Sequence, residues 1–409
     1  MTASAVSPTE TQKRNFRYVQ IDAIGVSISN VAAPFLPVFL TRLGASNFQV
    51  GLLSSMPGVT GLILAILVGS FLQRRKRIVP WYSLARLLVI SSYALTGLLA
   101  LILPRSYMVA STLVIWAVAT LPQTALAVAF SVVMNAVAGP EGRYALLSRR
   151  WAIFGLTSVV GTFAVTRVID RVAFPLNYAL MFLGLSLGGL VSYHFSNRIS
   201  LPDQATPPLS TGQSPRETIR EYLALLRSNP AFVSFTSKRF VYFSALALSA
   251  PILPLYLVRE VGASDSQIGS INMIFTLVML VGYFLWPWVS KRRGGRFVLL
   301  ATTLGMVLYP ALTATTIQVG SIMIFAGIAG LFQAGLDLVF FDELLKTVPA
   351  GYSAIFISLA QSMQFLSIII APLVGTWLAD SFGLGGALLV SSGLRLLGFL
   401  LFLKTDKHK

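Results

Sequence analysis

Long apolar runs, broken by short polar or basic stretches, set the pattern of this chain. Val59 to Leu72 is one such run, with apolar residues on every side of a helix. A helix that crosses a bilayer needs about 20 such residues, and twelve segments meet that length: 16–43, 49–72, 78–103, 108–137, 146–168, 174–195, 231–258, 268–289, 297–316, 319–341, 354–379 and 385–403. The runs do not alternate apolar with polar, so a transmembrane β-barrel is not expected. Between segments six and seven the pattern lapses: 201–213 is rich in Pro, Ser and Thr, and 215–227 is charged and reads as a short surface helix. The predicted organisation is a tail at 1–15, a six-helix bundle at 16–198, a linker at 199–229, a second six-helix bundle at 230–403 and a tail at 404–409. No removable signal peptide is recognised in the polar first fifteen residues.

Composition agrees with an all-α polytopic membrane protein. Of 409 residues 55% are apolar and 11% charged, where soluble proteins carry about 25% charged residues. A soluble enzyme is excluded on this ground. Cysteine is absent and there are two histidines, His194 and His408. Disulfides, thiolate metal sites and histidine relays therefore have no material, and neither a metal site nor a cofactor is expected.

Charge changes the picture through its distribution. With the amino terminus placed in the cytoplasm, about 24 of the 31 Lys and Arg fall in cytoplasmic segments and about 5 outside. The basic loops Arg74, Arg75, Arg77 and Arg292, Arg293 carry much of this bias. The expectation is an inner-membrane protein with both termini cytoplasmic, anionic lipid against its inner face, and no nucleic acid partner despite a net charge of +17.

The chain also repeats itself. Pro34-Phe-Leu-Pro37 returns as Pro251-Ile-Leu-Pro254, followed by Arg42 and Arg259 respectively. Gly44-Ala-Ser-Asn-Phe-Gln-Val-Gly51 returns as Gly262-Ala-Ser-Asp-Ser-Gln-Ile-Gly269. Further on, the pattern Leu121, Gln123, Leu126, Val128, Phe130 returns as Leu331, Gln333, Leu336, Leu338, Phe340, with Asp170 and Asp380 at the same offset. Four anchors in order indicate two six-helix halves, an architecture of secondary transporters.

On these features the chain resembles the major facilitator superfamily. The run Ala371-Pro372-Leu-Val-Gly375-Thr-Trp-Leu378-Ala379-Asp380-Ser-Phe-Gly383 is similar to the family's eleventh helix and following turn. Gly69-Ser-Phe-Leu-Gln73-Arg74-Arg75-Lys76-Arg77 is similar to its basic loop after span two, with Gln73 in place of the family's Asp. The antiporter signature of span five is absent. The resemblance implies a fold of twelve helices in two pseudo-symmetric bundles, no catalysis, and a monomer. It further implies alternating access about a site between spans 1, 4, 7 and 10, moving a small-molecule substrate; the missing antiporter signature argues against a typical proton-coupled drug exporter, and proton or cation coupling is left open. The alternative is a transporter-like assembly factor, receptor or lipid-handling scaffold that does not transport.

Ionised side chains inside a span cost about 2.5–3.5 kcal/mol on insertion scales, so each is a functional candidate. Asp22 lies about 9 Å into span one. It reads either as a coupling group or as the partner of an arginine, with Arg149 and Arg150 on the same side. Asp337, one turn from Gln333, has Ala127 at its repeat position. Arg395 lies at a similar depth, about 13 Å from the cytoplasmic end. These two form a structural pair, or Asp337 faces the cavity as a proton or cation group. Arg86 in span three is expected to snorkel toward the cytoplasm. Gln123 and Gln333 on one repeat axis, and Asn30 and Ser244 on the other, are the substrate-binding candidates, because neutral polar groups both donate and accept.

Overall fold

The computed structural model describes residues 10–73, 75–202, 228–347 and 353–403. They are helical throughout apart from turns, with no strand among the described residues. In chain order the helices are α1 (Glu10–Asn30), α2 (Phe35–Arg42), α3 (Asn47–Gln73), α4 (Val79–Ile102), α5 (Arg105–Thr166), α6 (Leu176–Ser196), α7 (Pro230–Arg259), α8 (Asp265–Arg293), α9 (Gly295–Thr313), α10 (Val319–Thr347) and α11 (Ser353–Leu403).

Ten helical segments among the described residues are long and apolar enough to cross a membrane, against the twelve read from the sequence. The difference has two sources. Leu359–Leu403 counts once, although its 45 residues would extend about 67 Å at 1.5 Å per residue, twice a bilayer core. The chain turns inside it at Gly383, whose φ of 77° breaks the helix. The 27-residue helix α3, also strongly apolar, falls outside the ten.

Pro34 divides the first predicted span. It has no N–H to give to residue 30, and residues 31–34 form turns closed by short-range bonds such as Ala32 N to Ser29 O at 3.2 Å. The repeat-related Pro251 lies within an unbroken α7.

The chain resolves into two compact units. One comprises Met1–Leu36 with Ile63–Pro207, the other Pro37–Leu62 with Pro208–Lys409. In the first, α1 and α4 pack on α5 and α6, around a core that includes Val19, Tyr82, Val133 and Leu146. A Cβ on Gly25 would stand 2.5 Å from the carbonyl oxygen of Gly188, so a hydrogen at this position is what lets α1 lie against α6. In the second, α7 packs on α11, α8 on α10, and α9 on both α10 and α11. Its core is aromatic, with Phe235, Tyr242, Phe340 and Phe402 in mutual edge or tilted contact. Residues 37–62, the end of the first predicted span and the start of the second, belong to this second unit.

Candidate functional site

Three polar constellations stand out, each within one unit. The first is built on Asp22, which is fully buried. Arg86 Nε stands 3.3 Å from Asp22 Oδ1, and a terminal nitrogen of Arg150 stands 3.5 Å from Oδ2. Ser192 Oγ donates to Oδ1 at 2.6 Å and Tyr82 Oη to Oδ2 at 3.5 Å. Arg86 in turn donates to Tyr82 Oη. Both arginines are about 3% exposed; Arg86 lies against the ring of Tyr82 and Arg150 against Phe130. Arg86 therefore turns inward to the carboxylate instead of snorkelling. Two guanidinium groups share one carboxylate, so the cluster carries an excess positive charge.

The second constellation lies in the other unit. Asp337 on α10 accepts from Tyr283 Oη at 2.9 Å and from Gln333 Nε2 at 2.7 Å. Arg395 is not its partner. That guanidinium is 2% exposed and donates to the carbonyl of Met306 at 2.8 Å and to Ser249 Oγ at 2.6 Å, which ties α11 to α9 and α7. Among the described residues Arg395 has no carboxylate partner and its Nε has no hydrogen bond. Arg395 and Gln333 both line a cavity of about 460 Å³. Ser244 sits beside it, bonded at 3.0 Å to the cavity-lining Ser367.

Two neighbours of the cavity differ from their sequence reading, in which Gln364 is a packing residue of the eleventh span and Arg239 a cytoplasmic charge. Gln364 lines the same cavity and accepts at 3.1 Å from Arg239, a residue counted above among the cytoplasmic charges. Arg239 is the tenth residue of α7, about 14 Å from the helix start, and it lies against the ring of Phe243. Its place ten residues into an apolar helix is the sequence signal that separates it from the loop charges.

The remaining candidates are placed as follows. Asn30 is exposed at the end of α1 and Gln123 is half-buried in α5; the structure does not bring these two together. Arg75 lies over Phe71 and Trp81, Arg292 over Trp288, and Arg293 over Phe297. Arg77 borders a hollow with Asn197 and Arg198. Arg74 lies outside the described residues. The aromatic residues Trp116, Tyr242 and Tyr256 are core groups whose polar ends bond to Thr96, Thr303 and Thr316.

The third constellation explains the sequence repeat. Gly44 and Gly262 have φ of 86° and 65°, a backbone that side chains disfavour, and each opens a turn into a helix. Ser46 with Gln49, and Ser264 with Gln267, form reciprocal capping pairs at the starts of α3 and α8. The arginine before each turn then reaches the other turn. Arg42 bonds to Asp265 Oδ1 at 3.1 Å and to the carbonyl of Ala263. Arg259 bonds to Asn47 Oδ1 at 2.7 Å and to the carbonyl of Ala45. Asn47 also donates to Asp380 Oδ1 at 2.6 Å. The result is a reciprocal clasp between the repeats.

Comparison with known proteins follows the same lines. A sequence profile of the Major Facilitator Superfamily matches residues 239–409. The Multidrug resistance protein MdtG of Serratia proteamaculans is 27% identical over 178 residues, 42% of this chain and 42% of that protein. The match thus spans less than half the length of such curated relatives. Fold similarity extends further. A variant of the nucleoside transporter NupG superposes with a TM-score of 0.71 at 12% identity, covering 96% of this chain and 98% of that one. A bacterial metal transporter superposes with a TM-score of 0.66 at 16% identity, covering 97% and 99%. The sequence match is confined to the second half of the chain, while the similarity in fold runs over nearly the whole length of this multi-pass membrane protein.

Proposed function

We propose that the chain is a secondary transporter of the inner membrane, moving a small solute by alternating access with proton coupling at Asp337. The observation that carries this reading is the chain of contacts Tyr283–Asp337–Gln333. It places an acid without a cationic partner, among the described residues, one hydrogen bond from a cavity-lining amide. Protonation of a carboxylate in this setting removes the charge assistance of that bond and weakens it. When the carboxyl is neutral the Gln333 amide is held less strongly and is freer to bond a solute in the cavity, so that solute and proton bind interdependently. The relatives support transport as the activity, since those compared are named for drug resistance or for nucleoside and metal transport. Both termini are assigned to the cytoplasm by the basic bias, and the molecule is assigned as a monomer.

The test is Asp337→Asn in proteoliposomes. Solute-driven proton movement disappears, while solute exchange between equal concentrations on both sides persists and the melting temperature stays within a few degrees. Exchange and proton movement both unchanged would remove Asp337 from the coupling role. No flux of any solute class from the wild-type protein would favour the scaffold alternative.

A further inference from the structure

We infer that the cavity walled by α7 to α11 binds a small amphipathic organic monoanion, its acid group held by Arg395 and its apolar body by the aromatic wall. This rests on the transport reading above and names the class of solute.

The charge argument comes first. A guanidinium taken out of water needs a counter-charge or a full set of acceptors. Arg395 is 2% exposed and uses two neutral acceptors, while its Nε–H has none. The nearby acid, Asp337, is engaged by Tyr283 and Gln333 instead. The second cation beside the cavity, Arg239, is bonded to an amide and not to a carboxylate. Positive charge here lacks a protein counter-ion among the described residues, and an anion is the ligand that supplies one. An ammonium ligand would meet Arg395 across a medium of low polarity and be repelled.

Hydrogen bonding specifies the orientation of the polar lining. Gln364 accepts from Arg239 through Oε1, which leaves its amide N–H groups as donors. Gln364 and Arg395 both line the cavity, and amide and guanidinium donors suit a planar carboxylate or a sulfonate. Only one guanidinium lines the cavity, so a single negative charge is matched. The apolar part of the wall includes Phe243, Leu246, Leu253, Ile271, Phe275 and Tyr309, which suits a ring or short chain. The cavity of about 460 Å³ lies in the range of small-molecule sites and is too small for a two-chain lipid.

The test uses purified full-length protein in detergent, with 4-phenylbutyrate, its neutral amide and the matching 4-phenylbutylamine as probes, read by calorimetry and by thermal shift. The carboxylate is expected to bind saturably and at least about tenfold more tightly than the amide, with the amine not binding. Arg395→Gln should abolish the preference for the carboxylate and Arg395→Lys should retain part of it. If Arg395→Gln does not yield a monodisperse protein, Ala247→Trp, which fills the cavity and leaves the arginine's bonds in place, should abolish binding. Equal binding of carboxylate and amide, no carboxylate binding, or undiminished binding to a folded Arg395→Gln or Ala247→Trp protein each overturns the inference. Failure of the two readings is distinguishable: anion binding without flux in proteoliposomes removes transport and keeps the site, whereas flux of neutral solutes without anion binding does the reverse.

Discussion

Asp22 shows how strongly one residue can be committed by its neighbours. Its two oxygens receive two guanidinium groups, a serine and a tyrosine, all buried. Replacing it by asparagine keeps the shape and deletes the charge that both arginines face. Removing one member of a buried ionic group costs about 3–5 kcal/mol, so Asp22→Asn should lower the melting temperature markedly. A second change, Arg150→Met, should recover part of the loss in a double-mutant comparison. A melting temperature unchanged by Asp22→Asn would show that the cluster does not hold the unit together. The sequence exposed Asp22 and Arg86 as costly residues in apolar surroundings and placed Arg150 on the same side as Asp22. It did not show which of them meet, because pairing across helices depends on rotation about each helix axis. For the same reason the similar depths of Asp337 and Arg395 left their pairing open, and in the structure each bonds to other groups.

At the scale of elements, close approach of α1 and α6 is what delivers Ser192 to Asp22. Gly25 and Gly188 face each other there, and an added Cβ on Gly188 would meet Ile28 at 2.7 Å. Gly25→Leu should therefore separate the helices, break the Ser192–Asp22 bond and reduce thermal stability, while Gly184→Ala, in open space on α6, should leave stability nearly unchanged. Equal effects of the two substitutions would contradict this account. Helix positions were legible from the sequence because apolar runs of bilayer length have few alternatives. Local breaks were less so: Pro34 interrupts its span and Pro251 does not, although the flanking sequences match. The partition of the chain was also hidden, since residues 37–62 group with the second half through contacts distant in sequence.

For the whole molecule, the absence of cysteine is an experimental opening. The side chains of Asn47 and Asp380 meet at 2.6 Å, on turns that the charge bias assigns to the outer face. An Asn47→Cys/Asp380→Cys pair should be joined by a short, membrane-impermeant bis-thiosulfonate applied from outside the cell. Flux should then stop, and return on reduction. Reaction only after the cells are permeabilised would reverse the assigned orientation, and full flux in the joined protein would argue against a moving outer turn.

The clasp itself has the form of a contact across a twofold axis: each repeat gives an arginine and receives one. In oligomers such contacts are made by identical copies, and both arms are then equal. Here the copies share a chain and differ in the side chain that receives the arginine, Asn47 standing where the other repeat has Asp265. One arm is consequently an ion pair and the other a charge–dipole bond. Dissolved salt, whose screening length is about 10 Å at 0.1 M, weakens the first more than the second, so ionic strength acts on this clasp from one side.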